Sequence, residues 1–198
     1  MENRYLPLSV PQIGKDDFET LKETLLSGWV SSSGPDVVKF EKSFSHYINA
    51  KYSISTMNGT AALHIALMSL GIGKGHDVFV PNITFVASVN SIIYTGASPF
   101  IIDIEPTSLC ICPKSIIRTI ERHYDFKSGF LINKKNNNIL KCIMPVHMLG
   151  YPAEMSKISK IAKEYNLHVV EDAAESLGAK YNDTYTGNFG DIGCFSFN

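Results

Sequence analysis

One pattern limits the possible folds of this chain more than any other. From residue 53 onward, short apolar runs alternate with longer segments in which apolar residues recur at helical spacing. The runs DVFVP at 77–81 and PFIIDI at 99–104 show it, with the helical segment FVASVNSIIYTG at 85–96 between them. Strands that are apolar throughout and are separated by amphipathic helices are typical of a parallel sheet covered on both faces. The sequence therefore predicts the α/β class.

The same reasoning assigns the remaining elements. Strands are predicted at 53–57, 77–81, 99–104, 142–147, 168–173 and 191–197, and helices at 16–28, 36–50, 60–71 and 85–96, from 113, and at 153–165. The Asn-rich segment 127–141 is predicted to be an exposed loop, and the turn formers of 180–190 predict a hairpin between two strands. A loop between the first two helices, WVSSSGP, holds the only tryptophan.

Composition and charge restrict the classes of function. The 198 residues are 44% hydrophobic and 19% charged, which is ordinary for a soluble globular protein of about one domain. A net charge of −1 gives no reason to expect a nucleic-acid or anionic-membrane partner. No apolar run approaches the roughly 20 residues of a membrane-spanning helix, and the first residues lack the pattern of a signal peptide. We therefore expect a cytoplasmic location.

Two patterns that could suggest ligand sites do not support one. The four cysteines form no C-x-x-C pair and have no histidine cluster beside them, so no metal site is expected. Cys142 and Cys194 lie in apolar runs and are predicted to be small buried hydrophobic residues. The glycine-rich segment 71–75 follows a predicted helix, whereas a dinucleotide-binding turn precedes one, so it is predicted to be a helix end and a turn.

A candidate phosphate site lies at Asn58-Gly59-Thr60, where a predicted strand meets a predicted helix. A helix N-terminus offers backbone N–H groups and the positive end of the helix dipole, and both favour an anion. Gly59 would let the backbone approach a ligand, and Thr60 could cap the helix and donate its hydroxyl. The tripeptide alone leaves an ordinary helix cap as the alternative.

Further candidates follow other predicted strands. Glu171 and Asp172 end one strand, at the edge where open α/β sheets bind ligands, although an acidic pair there could equally cap a turn. His147 follows another strand, where contact with a substrate and a structural role are both open. Phe85 begins a predicted helix, and a phenylalanine there is more often part of the core.

Taken together, these segments resemble one protein family. The strings NGTAALHIAL, PNITFVAS, VVEDAAESLGA and GDIGCFSFN occur in the order seen in the DegT/DnrJ/EryC1/StrS sugar-nucleotide aminotransferases, and PLSVPQIG and GWVSSSGPDVVKFEKSF are also typical of that family. The resemblance extends over essentially the whole chain. It implies the three-layer α/β/α large domain of fold type I pyridoxal 5′-phosphate (PLP) enzymes, with a mostly parallel sheet.

The resemblance also implies a cofactor site for PLP or its pyridoxamine form. Such a site has a phosphate-binding turn, a serine that bonds the phosphate, a stacking aromatic ring and a carboxylate that keeps the pyridine nitrogen protonated. In this sequence, the set is Asn58, Gly59, Thr60, Phe85, Asp172, Glu175 and Ser196. Glu175 stands where the family commonly has glutamine or histidine, and it would contact the cofactor's phenolic oxygen well only with a proton between the two oxygens.

A substrate class follows from the same resemblance. Family members transfer an amine, typically from glutamate, to a 4-keto-6-deoxy sugar nucleotide for cell-surface glycan synthesis. The strings LSVP, GWVSS and EDAAESLG favour the branch that acts on UDP-linked N-acetylhexosamines, on the routes to bacillosamine and legionaminic acid, over the perosamine and viosamine branches. The members are homodimers that share residues between sites. Candidate substrate contacts here are Trp29, Ser32, Ser33 and His147.

The end of the chain affects the expected activity. In the family, the lysine that holds PLP as a Schiff base follows the Ser-Phe-X segment, and this sequence ends at Asn198. We expect residues 1–198 to be the N-terminal segment and most of the PLP-binding large domain, with an incomplete sheet, without the C-terminal small domain and without transaminase activity of its own. Two alternatives stay open: a PLP-dependent sugar dehydratase with histidine in place of the lysine, and an inactive remnant or binding module.

Overall fold

The computed structural model describes residue 7 and residues 10–197, so residues 8 and 9 of the LSVP string lie outside the described part. The described helices are α1 (Lys15–Ser27), α2 (Pro35–Tyr47), α3 (Gly59–Ser69), α4 (Val86–Tyr94), α5 (Pro113–His123) and α6 (Met155–Tyr165). The described strands are β1 (His76–Pro81), β2 (Ser98–Ile102), β3 (Tyr124–Lys127), β4 (Phe130–Asn133), β5 (Ile139–Ile143), β6 (His168–Asp172), β7 (Lys180–Tyr181), β8 (Thr184–Tyr185) and β9 (Ile192–Cys194). A short 3-10 helix, Met148–Gly150, precedes α6.

A mostly parallel sheet organises the chain. Its parallel path runs β2-β1-β5-β6-β9. The start of β5 also pairs antiparallel with β4, through Leu131 and Leu140, whereas the end of β5 pairs with β6 through Cys142 and His168. The β3–β4 hairpin therefore extends the sheet at the beginning of β5, away from the end where the parallel strands finish.

Helices cover both faces of this sheet. On β1, Val78 and Val80 pack in the apolar cluster of α3 and α4, and Phe79 packs in the cluster of α5 and α6. All three side chains are completely buried. Because successive residues of a strand point to opposite faces, a strand buried on both faces is apolar throughout. The predicted three-layer α/β/α fold with a mostly parallel sheet is confirmed.

The first two helices lie outside this core. In the described structure, neither α1 nor α2 contains a buried residue. The Thr24 hydroxyl donates to the Asp36 carboxylate at 2.7 Å, which joins the two helices. Helix α2 also contacts the end of the chain, where the Phe44 ring meets the Phe195 ring edge-on at 5.1 Å. Helix α1 stops at Gly28, in the left-handed conformation with φ 74°, as predicted.

The predicted strand at 53–57 is not formed. Ile54 and Met57 are 82% and 89% exposed, and no described strand pairs with the segment. It is held instead by Glu41 of α2, which accepts hydrogen bonds from the Ser53 hydroxyl and the Ser55 N–H. A groove of about 730 Å³ is lined by this segment and by residues of β9 and its flanks. A strand needs a neighbouring strand that pairs with its backbone. Among the described residues, the segment 53–57 borders this groove and not a strand.

The prediction of an exposed loop at 127–141 holds for residues 134–137, whereas β4 and the start of β5 take up much of the rest. The amides of Asn133 and Asn138 donate to the buried carboxylate of Asp77, at 2.7 and 2.8 Å. The Tyr124 hydroxyl donates to the same carboxylate at 2.7 Å. The asparagines that suggested a loop thus satisfy a buried acid, which is what a charge inside a protein requires.

Other predictions are confirmed, with shifted ends. The hairpin predicted at 180–190 is present as β7 and β8. The strand predicted at 142–147 runs from Ile139 to Ile143, the one at 191–197 covers only Ile192–Cys194, and the helix predicted at 36–50 ends at Tyr47. Cys142 and Cys194 are buried as expected, and desolvation raises the pKa of both thiols, that of Cys194 to about 12. None of the described helices combines the length and the apolarity needed to cross a membrane.

Candidate active site

The candidate residues converge at the edge of the sheet where the parallel strands end. Asp172, the last residue of β6, pairs with Cys194 of β9, and the Ala173 N–H donates to the Cys194 carbonyl at 2.8 Å. Ser196 follows β9 and meets Gly59 at the start of α3. Open α/β sheets bind ligands at the carboxyl ends of their strands, so this edge is the expected place for a site.

Gly59 lies directly against Ser196. A Cβ atom added at position 59 would be 2.9 Å from the Ser196 Cβ and 3.2 Å from its Oγ. Carbon atoms do not approach this closely without displacement, so a residue with a side chain would push the two elements apart. Glycine therefore allows the N-terminus of α3 and the serine after β9 to meet at one point.

Asn58 caps α3. Its Oδ1 accepts a hydrogen bond from the Ala61 N–H at 2.9 Å. The expectation that Thr60 caps the helix is wrong, because Thr60 is already the second helical residue and the cap belongs two positions earlier. The cap does not exclude an anion. The first N–H groups of a helix have no acceptor within it, so those of Gly59 and Thr60 are available to a ligand beside Ser196.

Asp172 is the buried carboxylate of the site, with 5% of the residue exposed. Its Oδ2 accepts from the Ser88 hydroxyl at 2.6 Å, and its Oδ1 accepts from the Ala174 N–H at 3.2 Å. Burial raises the pKa of the Asp172 carboxyl above its usual range, whereas these two hydrogen bonds lower it. A cationic group placed here would stabilise the ionised form. The sequence did not indicate Ser88 as a site residue, because its contact with Asp172 joins two residues that are 84 positions apart.

Phe85 precedes α4 at the same edge and is 72% exposed. Its ring is therefore not part of the core, which was the alternative that the sequence left open. The Ser88 N–H donates to the Phe85 carbonyl at 3.1 Å, so one turn holds the aromatic ring and the serine that contacts Asp172. An exposed ring on the turn that also bonds to a buried carboxylate offers a stacking surface to a flat, positively charged heterocycle.

His147 and Glu171 form a fully buried pair behind Asp172. His147 Nε2 lies 2.9 Å from Glu171 Oε2. His147 Nδ1 accepts from the Ala153 N–H at 3.1 Å, so Nε2 carries the proton and donates it to Glu171. With both ring nitrogens used and no exposed surface, the expected contact between His147 and a substrate is not supported, and the structural role fits.

Glu171 also holds the turn that leads into β9. Its Oε2 accepts from the Gly187 N–H at 2.9 Å, and its Oε1 accepts from the N–H groups of Phe189 and Gly190, both at 2.7 Å. With His147, the carboxylate has four donors, two on each oxygen. The sequence indicated Glu171 only as one of an acidic pair. The residues around Glu171 give no sign that the turn at 187–190 supplies its hydrogen-bond donors.

Glu175 lies at the exposed side of the site. Its Oε2 accepts from the Leu149 N–H at 2.7 Å. Leu149 has φ 52°, and a Cβ at the following Gly150 would lie 3.2 Å from the Glu175 carbonyl oxygen. The 3-10 turn therefore packs closely against Glu175 and orients its carboxylate.

The loop expected to contact a substrate is not brought into this cluster. Trp29 is 55% exposed and packs against its own loop. A Cβ atom added at Gly34 would lie 3.3 Å from the Cβ of Trp29. The hydroxyls of Ser31 and Ser33 lie 3.3 Å apart, and Ser32 is exposed beside them. In the described contacts, the loop bonds to itself and to the helices on either side.

Known proteins are similar to this chain in sequence and in fold. The chain matches the DegT/DnrJ/EryC1/StrS aminotransferase family over residues 11–198. It is 39% identical, over 194 residues, to GDP-perosamine synthase of Escherichia coli O157:H7, an alignment that covers 98% of this chain and 49% of that protein. It superposes on the X-ray structure of an aminotransferase from Psychrobacter cryohalolentis with a TM-score of 0.83 and 34% identity, covering 96% of this chain and 45% of the other. DesI, solved in the presence of its TDP-sugar product, gives a TM-score of 0.75 with 26% identity, covering 91% and 42%.

Two facts qualify these matches. The chain spans about half the length of the relatives that it matches. A GDP-perosamine synthase is among the similar proteins, so the expected preference for the UDP-linked branch over the perosamine branch gains no support from them. At the level of the family, the match covers nearly the whole chain and includes the motifs that converge at the sheet edge. The chain belongs to the DegT/DnrJ/EryC1/StrS aminotransferase family.

Proposed function

We propose that this chain forms the cofactor-binding part of a PLP-dependent aminotransferase that acts on a 4-keto-6-deoxy sugar nucleotide. One observation carries the proposal: the α3 N-terminus and Ser196 meet through Gly59, on the strand next to the buried carboxylate of Asp172. An anion site and a buried acid on neighbouring segments of one sheet edge suit a ligand that has a phosphate at one end and a cationic ring nitrogen at the other.

The residues present fit such a cofactor. The N–H groups of Gly59 and Thr60 and the hydroxyl of Ser196 would hold the phosphate, and the close approach at Gly59 keeps them together. The exposed ring of Phe85 offers a stacking surface. Asp172, with both oxygens already oriented by protein donors, would face the ring nitrogen.

Each group then has a defined part in the reaction. PLP, when bound, supplies a pyridine ring that accepts electrons during transamination if its nitrogen is protonated. Asp172 would hold the proton at that nitrogen, because a positive charge beside it would stabilise the ionised form of a carboxylate that burial disfavours. Gly59, Thr60 and Ser196 would hold the phosphate end and Phe85 would offer a surface to the ring, so the chain would orient the reacting atoms.

Binding of pyridoxamine 5′-phosphate (PMP) tests this proposal. PMP carries the ring and the phosphate but no aldehyde, so it does not react with surface lysines. In ¹H–¹⁵N NMR spectra of the chain, we expect PMP to shift the amide signals of Gly59, Thr60 and Ser196, and pyridoxamine without phosphate to leave them in place. Equal shifts with both compounds, or none with either, would refute a phosphate site at this turn.

The substrate side of the proposal is broader. Glutamate as amino donor, a homodimer in the full-length protein, and Trp29, Ser32 and Ser33 as sugar-nucleotide contacts all rest on the family. The sequence strings favour a UDP-linked N-acetylhexosamine, and the similarity to a GDP-perosamine synthase favours a GDP-linked sugar. Both substrate classes place a keto group at C4, so the proposed chemistry is the same.

Tryptophan fluorescence separates these substrate classes. Because Trp29 is the only tryptophan, its emission reports on the loop alone. UDP-N-acetylglucosamine and GDP-mannose serve as stable probes, with excitation at wavelengths that the bases do not absorb. Quenching at lower concentrations of the UDP-linked probe supports the first branch, and the opposite order supports the second. A signal that neither probe changes would remove Trp29 from the proposed substrate contacts.

A further inference from the structure

We propose that Ser88 is a positioning residue of the cofactor site, whose hydroxyl fixes the Asp172 carboxylate relative to the ring of Phe85. This inference rests on the proposed function, since it concerns how the chain presents Asp172 to a ring nitrogen. The family motifs point to Phe85 and Asp172 themselves, and the contact between Ser88 and Asp172 appears only in the folded chain.

The geometry of Ser88 joins the two cofactor contacts. Ser88 is fully buried in the first turn of α4, and its Oγ lies 2.6 Å from Asp172 Oδ2. Its N–H donates to the Phe85 carbonyl at 3.1 Å. A single helical turn therefore carries both the backbone of the proposed stacking residue and the group that holds the carboxylate.

A second hydroxyl continues this hydrogen bond away from Asp172. Thr84 Oγ1 lies 2.6 Å from Ser88 Oγ. An ionised carboxylate can only accept, so Ser88 donates its proton to Asp172 and accepts from Thr84. Hydrogen bonds in such a series strengthen one another, and Ser88 takes part in it as both donor and acceptor.

The consequence is a carboxylate with both oxygens tethered. Ser88 holds Oδ2, and the Ala174 N–H holds Oδ1. The other titratable groups near Asp172 are Glu175, whose charge opposes the ionised form, the neutral imidazole of His147 and the thiol of Cys194. Without Ser88, Oδ2 of the buried carboxylate loses its donor, and the Ala174 N–H alone still holds the group through Oδ1. The carboxylate would then hold a proton more tightly and meet a ring nitrogen in a less favourable orientation.

Ser91 provides a matched control on the same helix. It is as completely buried as Ser88, but its hydroxyl donates to the Ser88 carbonyl, at 2.8 Å, within the helix. Ser91→Ala removes a buried hydroxyl from α4 without touching Asp172. A purely structural role for these serines predicts the same effects for both variants.

The experiment compares Ser88→Ala with Ser91→Ala through two measurements. In ¹³C NMR titrations of the Asp172 carboxyl without ligand, we expect its pKa to rise in Ser88→Ala and to stay unchanged in Ser91→Ala. In titrations with PMP, we expect roughly tenfold weaker binding for Ser88→Ala, as for the loss of one hydrogen bond to a charged group, and wild-type binding for Ser91→Ala.

The outcomes separate this inference from the proposed function. An unchanged Asp172 titration in Ser88→Ala overturns the inference, whether or not PMP binds. Absence of PMP binding to the wild type contradicts the proposed function, and the ligand-free titration still decides the role of Ser88. If Ser88→Ala does not fold, Thr84→Val decides instead: a smaller rise in the Asp172 pKa supports the inference, and an unchanged titration overturns it.

Discussion

Gly59 and Ser196 touch so closely that a Cβ added at Gly59 would lie 2.9 Å from the Cβ of Ser196. The contact joins the start of α3 to the residues after β9, next to the strand that ends at Asp172. Neither segment alone supplies both kinds of donor, because one provides helix N–H groups and the other a hydroxyl. The proposed phosphate site therefore forms only when the start of α3 and the segment after β9 come together in the folded chain.

The first prediction follows from this contact. Gly59→Ala should weaken PMP binding at least about tenfold, because the new methyl group must displace Ser196 or the helix N-terminus from the phosphate. Calorimetric titration with PMP measures the loss. Gly14→Ala is the control, since a Cβ there comes no closer than 3.7 Å to a neighbour. A Gly59→Ala protein that binds PMP like the wild type would show that the contact does not shape the site.

The second prediction concerns pH. Burial raises the pKa of Asp172 in the folded chain above 3.8, its usual value, so the folded state binds this proton more tightly than the unfolded state does. Stability therefore falls as the pH rises through the raised pKa, and the ionised carboxylate is destabilising at neutral pH. Asp172→Asn should unfold at higher urea concentration than the wild type at about pH 7.5, with the difference shrinking toward about pH 4.

Glu164→Gln, a change at an exposed carboxylate, is the control for that comparison. It should leave the urea midpoint unchanged at both pH values. A lower midpoint for Asp172→Asn at neutral pH would contradict the account, because it would mean that the hydrogen bonds to the carboxylate outweigh its burial.

The third prediction tests the network around Glu171. Each carboxylate oxygen of Glu171 has two donors, so the amide of Glu171→Gln would point its NH₂ group at two of them in either orientation. We expect a loss of about 1.5–3 kcal/mol in the free energy of unfolding, measured by urea denaturation. A loss below about 0.5 kcal/mol would mean that the turn into β9 does not depend on this carboxylate.

The fourth prediction tests the β3–β4 extension. Burial raises the pKa of the Tyr124 hydroxyl, which stays protonated and donates to the buried Asp77. Tyr124→Phe should lower the free energy of unfolding by about 1 kcal/mol, since Asp77 then loses one of its donors. Tyr94→Phe is the control, because Tyr94 is 59% exposed. Equal stabilities of the two variants would argue against a stabilising role for the Tyr124–Asp77 hydrogen bond.

The layered architecture and the β7–β8 hairpin could be predicted from the sequence, because both follow from the pattern of neighbouring residues. Alternating apolar runs and helical segments predicted the layered α/β architecture, and turn formers predicted the β7–β8 hairpin. The strand predicted at 53–57 failed because a strand also needs a partner, and the segment borders a groove. The loop predicted at 127–141 failed for much of its length because Asn133 and Asn138 bond to an acid that precedes them by more than fifty residues.

In the candidate site, too, local motifs were predicted and contacts between distant residues were not. Motifs pointed to Gly59, Phe85, Asp172 and Ser196, and the structure places them at the edge of the sheet where its parallel strands end. Ser88 was not predicted, because its partner Asp172 lies 84 positions away and a serine in a helix has no local signature of such a contact. His147 has a structural position, since its two ring nitrogens bond to the buried Glu171 and to the Ala153 N–H. The sequence alone does not show these contacts.

The most direct test of the central claim is a crystal structure of this chain with PMP. The account predicts that the phosphate lies within hydrogen-bonding distance of the Gly59 and Thr60 N–H groups and of Ser196 Oγ, with the ring against Phe85 and its nitrogen facing Asp172. PMP bound elsewhere, or bound with its ring nitrogen turned away from Asp172, would contradict it.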